Sequence, residues 1–165
     1  MEIKVCQSEA QLKELAEKAE KIWNEYFISI ITKEQIDYMV EKFQSYEAIK
    51  QAIEEEQYTY FLAYEQGKLI GYCGVRPCED QRLFLSKLYL DKENRGKGYA
   101  SVLLNQAIDF AKEQKLAAIY LTCNKYNTHS LQVYEKKGFY QTDAVQTDIG
   151  NGFIMDDYIL QLDLN

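Results

Sequence analysis

Leu83–Ala100, LFLSKLYLDKENRGKGYA, is the stretch on which the fold turns. Leu83 to Leu90 is an apolar run rich in leucine and aromatics, the pattern of a buried strand. Arg95-Gly96-Lys97-Gly98-Tyr99-Ala100 follows as a glycine-bracketed turn. The period then changes, and Ala100, Leu103, Leu104, Ala107, Ile108 and Ala111 recur at helical spacing. A strand running through such a turn into a helix N-terminus gathers unpaired N–H groups, about half a positive charge and two cationic side chains at one point. Gly96 and Gly98 permit positive φ and close approach of the backbone. This is a device for holding a phosphorylated anion, so a nucleotide-like cofactor is expected. The dipole alone contributes only about 0.3–1 kcal/mol, against about 8 kcal/mol for micromolar binding. The turn must therefore act as a nest of several amides, with the rest of the cofactor held elsewhere.

On the C-terminal side, Ala117 to Cys123 reads as a buried strand. Asn127 to Lys137 reads as a helix closed by Gly138, and two more strands are expected near 139–146 and 152–164. On the N-terminal side, Tyr58–Tyr64 and Leu69–Val75 form a hairpin about Glu65-Gln66-Gly67-Lys68. Before it, residues 2–6 suit a short strand. Ser8 and Gln11 form a capping box ahead of Leu12, Leu15, Ala16, Ala19, Ile22, Trp23, Tyr26 and Phe27. Thr32 and Gln35 repeat the capping pattern before Ile36, Met39, Val40 and Phe43, and a third short helix spans 46–55. The unit 83–123 is strand–helix–strand and must be parallel with a right-handed crossover. The expected fold is an α/β mixed sheet of six or seven strands, mostly antiparallel apart from one parallel central pair, with helices on both faces. Residues 1–165 are read as one domain.

Composition narrows the classes. A net charge of −7, from 26 acids and 19 cations, argues against a nucleic-acid partner. Cys6, Cys73, Cys78 and Cys123 include no CxxC pair, and His129 is the lone histidine, so no metal site is expected. The cysteines read as reduced, mostly buried thiols of a cytoplasmic protein. The first residues lack the pattern of a signal peptide, and no apolar run is long enough to span a membrane.

Three phosphate motifs compete for the glycine turn. A P-loop requires GxxxxGK followed by Ser or Thr, which the chain lacks. A dinucleotide fingerprint matches only in part, because Gly96-Lys97-Gly98-Tyr99-Ala100-Ser101 ends in serine. Arg95, Gly98 and Ala100 fit the pattern R/Q-x-x-G-x-G/A, and Asn127, Ser130, Tyr134, Gly138 and Phe139 fit N-x-x-S/A-x-x-x-Y-x-x-x-G-F. With both signatures in order and on the expected elements, the chain resembles the GNAT superfamily of N-acetyltransferases over about 58–145.

That resemblance implies a site. The strand before the turn would splay from its parallel neighbour at a bulge, and the backbone of Leu88, Tyr89 and Leu90 would pair with the pantetheine arm of acetyl-CoA. Arg95, Gly96, Lys97, Gly98, Tyr99 and Ala100 would bind its pyrophosphate. Asn127 and Ser130 would line the arm, and Tyr134 would face the thioester sulfur as general acid. The acceptor would be a primary amine of a polyamine-like small molecule or a peptide, in a pocket walled by Trp23, Tyr26, Phe27 and Tyr38, with Glu25, Glu34 and Asp37 placed to attract a cation. Family members often use a glutamate on the central strand as base; here Ser86 and Lys87 stand there instead. His129 reads as an exposed helix residue and Cys123 as core. A homodimer is compatible with these features. A CoA-binding regulator without turnover is the alternative reading, and a Rossmann-type module is disfavoured by the hairpin at 58–75.

Overall fold

The computed structural model describes residues 1–29 and 31–164. Its elements run β1 (Glu2–Val5), α1 (Glu9–Phe27), α2 (Lys33–Met39), a π-helical turn (Val40–Gln44), α3 (Tyr46–Glu55), β2 (Thr59–Glu65), β3 (Lys68–Pro77), β4 (Arg82–Leu90), a 3₁₀ turn (Lys92–Asn94), α4 (Tyr99–Glu113), β5 (Ala118–Asn124), α5 (Thr128–Lys136), β6 (Tyr140–Gly150) and β7 (Phe153–Asp163). The strands form one sheet in the order β1-β2-β3-β4-β5-β7-β6. Every neighbouring pair is antiparallel except β4–β5. The mixed, mostly antiparallel sheet with one parallel central pair is the architecture expected.

Period and capping account for the helices. Ser8 and Gln11 make the reciprocal capping box that starts α1, and Thr32 Oγ1 accepts from Gln35 N at the start of α2. The apolar stripe of α1 and α3, including Leu15, Ile22 and Ile49, packs on one face of the sheet against Tyr60, Leu62 and Tyr72. Leu103, Leu104, Ala107 and Ala111 of α4 cover the other face, against Phe61, Val75 and Ile119. Alternate strand residues therefore feed opposite cores, as period two requires. A third cluster joins Trp23, Phe27, Ile36 and Met39 to Ile149 of β6, so the helical layer and the last hairpin close over one end of the sheet.

Two details depart from expectation. The second helix stops at Met39, and Val40–Gln44 is π-helical, which carries Gln44 inward to complete burial. The sixth strand runs to Gly150 rather than ending near 146, because the reversal is made by Asn151-Gly152, both with positive φ, the usual geometry of a two-residue hairpin.

Candidate active site

The parallel pair is brief. Arg82–Phe84 of β4 pair with Ala118–Tyr120 of β5, and among the described residues the ladder ends there. On its other edge β4 continues to pair with β3, Leu88 opposite Cys73, Tyr89 opposite Tyr72 and Leu90 opposite Gly71. Gly74 faces Lys87 while Val75 faces Leu85, so Ser86 is the extra residue of a bulge. A bulge bends its strand, and from this point β4 and β5 diverge. The wedge opens into two adjoining cavities of about 420 Å³ and about 100 Å³, which share Tyr26, Leu88, Tyr89, Ser130 and Tyr134.

The smaller cavity is bounded by the glycine turn. Gly96 and Gly98 have φ of +78° and +86°, and a Cβ at either would meet nothing within 4 Å. Backbone conformation alone requires glycine there, since an L-residue in that region costs about 1–2 kcal/mol. Gly98 is the N-cap of α4 and offers no side chain to its free N–H groups. Arg95 lines this cavity, donates from Nε to the Leu90 carbonyl at 3.1 Å, and lies 4.4 Å from the centre of the Tyr26 ring. Its Nη2 is buried without a partner. An orphaned guanidinium nitrogen beside two left-handed glycines and a bare helix N-terminus fits a diphosphate. Leu90, Ala100 and Ser130 also line this space. Lys97 and Tyr99 do not: Lys97 is exposed, and the Tyr99 hydroxyl turns to Glu65, whose carboxyl it holds below the ordinary range. The approach to the turn is braced by α1, whose Lys18 pairs with buried Asp91 at 3.0 Å and whose Glu25 accepts from Lys92 N at 3.4 Å.

Helix α5 brings the second signature to the junction of the cavities. Asn127 caps it, its Oδ1 accepting from Ser130 N. Ser130 and Tyr26 share a hydrogen bond of 2.6 Å between their hydroxyls. Tyr134, one turn further on, lines both cavities, with its ring edge-on to Phe139 at 5.5 Å. Burial holds its hydroxyl well above the ordinary tyrosine pKa, so it remains a proton donor. His129 is exposed at the rim. Burial pushes the Cys123 thiol up to about 12, which leaves it a wall residue rather than a thiolate nucleophile.

The larger cavity departs most from expectation. Trp23, Tyr26 and Phe27 line it, but Tyr38 does not. The Tyr38 hydroxyl donates to the Ile149 carbonyl at 2.7 Å and its ring packs on Phe153, so it stands behind Ile149 and supports the wall. The acids expected to attract a cation are also elsewhere: Glu25 is turned to Lys92, Asp37 pairs with Lys33 on the exposed side of α2, and Glu34 is exposed. The carboxylates on this cavity are Glu56, at the exposed end of α3, and Asp157 of β7. Asp157 is 4% exposed, and burial, with Asp156 beside it, pushes its carboxyl up to about 6. Across the wedge, buried Lys87 donates from Nζ to Tyr60 Oη at 2.9 Å and lies over the Tyr58 ring at 4.6 Å. Burial pushes its ammonium down to about 8, with Glu56 opposing and Arg76 assisting. Gln44, fully buried, completes the wall. Asp157 had one signal in sequence: it alternates with Phe153, Met155 and Ile159, a charge within the apolar part of a strand face that turns polar at Gln161 and Asp163. Gln44 had none.

The profile of the acetyltransferase (GNAT) family matches residues 16–139, which include both signatures. The chain belongs to the GNAT family. The matched segment is thus an acyltransferase domain, of a family that takes its acyl group from acetyl-CoA. Human N-acetyltransferase 8 is 25% identical over 129 residues, covering 75% of this chain and 52% of the relative. A probable spermine N(1)-acetyltransferase of Bacillus subtilis subsp. natto is 31% identical over 84 residues, covering 46% of this chain and 55% of the relative. The chain therefore spans about half the length of these curated relatives. Among solved structures, the PaiA N-acetyltransferase of Thermoplasma acidophilum in complex with coenzyme A superposes with a TM-score of 0.83 at 24% identity, over 99% of this chain and 100% of the other. A GNAT acetyltransferase of Elizabethkingia anophelis with acetyl-CoA bound gives a TM-score of 0.60 at 21% identity, over 72% and 82%. These likenesses establish the GNAT fold. None of the described helices is long and apolar enough to cross a membrane.

Proposed function

We propose that this GNAT chain transfers the acetyl group of acetyl-CoA directly to a primary amine, with Tyr134 as general acid and Asp157 as proton acceptor. The observation that carries this reading is the position of Tyr134, a protonated hydroxyl where the wedge meets the larger cavity. Acetyl-CoA supplies the activated acyl group. The turn from Arg95 to Ala100 would hold its diphosphate, and the free edge of β4 at Leu88–Leu90 would take the pantetheine amides.

An alkylamine enters mostly charged at pH 7, because its pKa is near 10.4. Asp157, ionised above pH 6, takes one proton from it and passes that proton to solvent. Tyr134 gives its proton to the departing sulfur, and the proton shed by the acylated nitrogen restores it. A donor so placed contributes typically 10²–10⁴ in rate. The N–H groups of β4 beside the Ser86 bulge would stabilise negative charge on the carbonyl oxygen.

An amine acceptor that enters as a cation has the support of Glu56 and Asp157 on the cavity wall and of the spermine acetyltransferase among the relatives. A regulator without turnover would leave Tyr134 and Asp157 without a task.

Release of CoA thiol, followed over a panel of amines and peptides, tests the reading. Tyr134→Phe is expected to lower kcat at least tenfold while acetyl-CoA Kd stays within twofold. In the unaltered chain kcat/KM should fall tenfold per pH unit below about 6, and Asp157→Asn should abolish that acid limb. An unchanged kcat in Tyr134→Phe removes the general-acid role, and an unchanged limb removes Asp157 as the base.

A further inference from the structure

We propose that the acceptor carries a carboxylate in addition to its amine, and that Lys87 and Gln44 bind that carboxylate. This rests on the acetyl-transfer reading and narrows its acceptor, away from polyamines and toward amino-acid-like amines.

The larger cavity holds more donors than its own wall can satisfy. Lys87 has three N–H donors and makes one hydrogen bond, to Tyr60. Gln44 Nε2 is buried with no partner at all. Its orientation follows from chemistry. The Trp23 indole N–H can only donate, and it donates to Tyr72 Oη at 3.0 Å. The Tyr72 hydroxyl is fully buried, so its own proton needs an acceptor, which is Gln44 Oε1 at 2.9 Å. The amide nitrogen is thereby turned away from Tyr72, on a residue that lines the cavity. Lys87 and Gln44 are held by neighbouring tyrosines, Tyr60 and Tyr72, whose ring centroids lie 6.5 Å apart. A partnerless amide nitrogen and an ammonium with one hydrogen bond, on two residues that line one cavity, call for an acceptor-rich, anionic group, and hydrogen bonds from an ammonium to a carboxylate are among the strong ones.

Like charge supplies the other half of the selection. A second ammonium directed at this wall would meet Lys87 in a poorly solvated space, where repulsion between cations is largest. Glu56 lies at the exposed rim, and its charge only partly offsets the effect of burial on the Lys87 ammonium. Asp157 stands on β7, two strands from β4 in the sheet order. The wall that would receive the amine is therefore separate from the wall that would receive the carboxylate.

Matched acceptors decide the matter: 4-aminobutanoate against 1,4-diaminobutane, and lysine against 1,5-diaminopentane, with acetyl-CoA as donor. The carboxylated member of each pair should have the higher kcat/KM. Lys87→Met and Gln44→Glu should each cut that preference at least tenfold through KM, with Lys87→Arg restoring part of it. Gln44→Glu keeps the acceptor for Tyr72 and so tests the donor without dismantling the network; unchanged acetyl-CoA Kd certifies folding for each variant. Preference for the diamines, or a preference that neither variant moves, overturns this inference and leaves acetyl transfer standing. Failure of every amine tested to release thiol overturns both.

Discussion

Asp157 is flanked on its strand face by Met155 and Ile159, and its carboxyl titrates near 6 rather than at the ordinary 3.8 because burial penalises the charge. A carboxyl whose folded pKa is raised costs stability once it ionises. The cost is complete above about pH 6 and absent below about 3.8. Asp157→Asn should therefore stabilise the chain at pH 7 by on the order of 1 kcal/mol, allowing for solvent in the cavity. That corresponds to a Tm higher by about 2–4 °C. Thermal melts at pH 7 and pH 4 check this, and an equal gain at both would mean that charge is not the cause. At this scale the signatures were legible and the charges were not. Arg95, Gly98, Asn127 and Tyr134 sit at fixed spacings within short segments. Lys87 acquires its character from Tyr60, 27 residues away, and Gln44 from Tyr72, 28 residues away.

Among the elements, α1 does more than roof the sheet. Lys18 reaches Asp91 across 73 residues of sequence, with side-chain exposures of 14% and 3%. The pair anchors the helix to the segment that leads into the glycine turn. Breaking a buried pair by removing one partner costs about 3–5 kcal/mol, and Asp91 Oδ1 already lacks a partner. Lys18→Met should lower Tm by roughly 6–20 °C, while Lys21→Met, on the exposed side of the same helix, should change stability by no more than about 0.5 kcal/mol. Similar melting of the two variants would show that the pair is not an anchor. Among the described residues, periodicity and caps located the α-helices and strands, because both act over a few residues, but not the 3₁₀ turn at Lys92–Asn94. The π-helical turn at Val40–Gln44 escaped that reading; it carries Gln44 to the buried hydroxyl of Tyr72, a contact 28 residues away in sequence.

For the whole molecule, the divergence of β4 and β5 is the feature that makes ligand binding and stability one question. Acetyl-CoA in the wedge would tie together β4, α4 and α5, whose residues line the smaller cavity. A hundredfold excess over Kd should add about 2.7 kcal/mol to stability, seen as a rise in Tm of roughly 5–11 °C. NAD or ATP at the same concentration should leave Tm within about 1 °C. A comparable rise with either would place a different nucleotide in the turn.

The sequence by itself determined the strand, the turn and the helix between Leu83 and Glu113, the capped helices, and the spacing that puts Asn127, Ser130 and Tyr134 along α5. Each of these is settled by dihedral preferences and side-chain periods that act within a few residues. Only the tertiary structure decided that the parallel ladder stops at Phe84, that Tyr38 supports the cavity wall from behind, and that Asp157 and Lys87 face one cavity from different strands. Those outcomes depend on how chain segments many residues apart pack and exclude water, and no local pattern encodes which charge will be left without a partner.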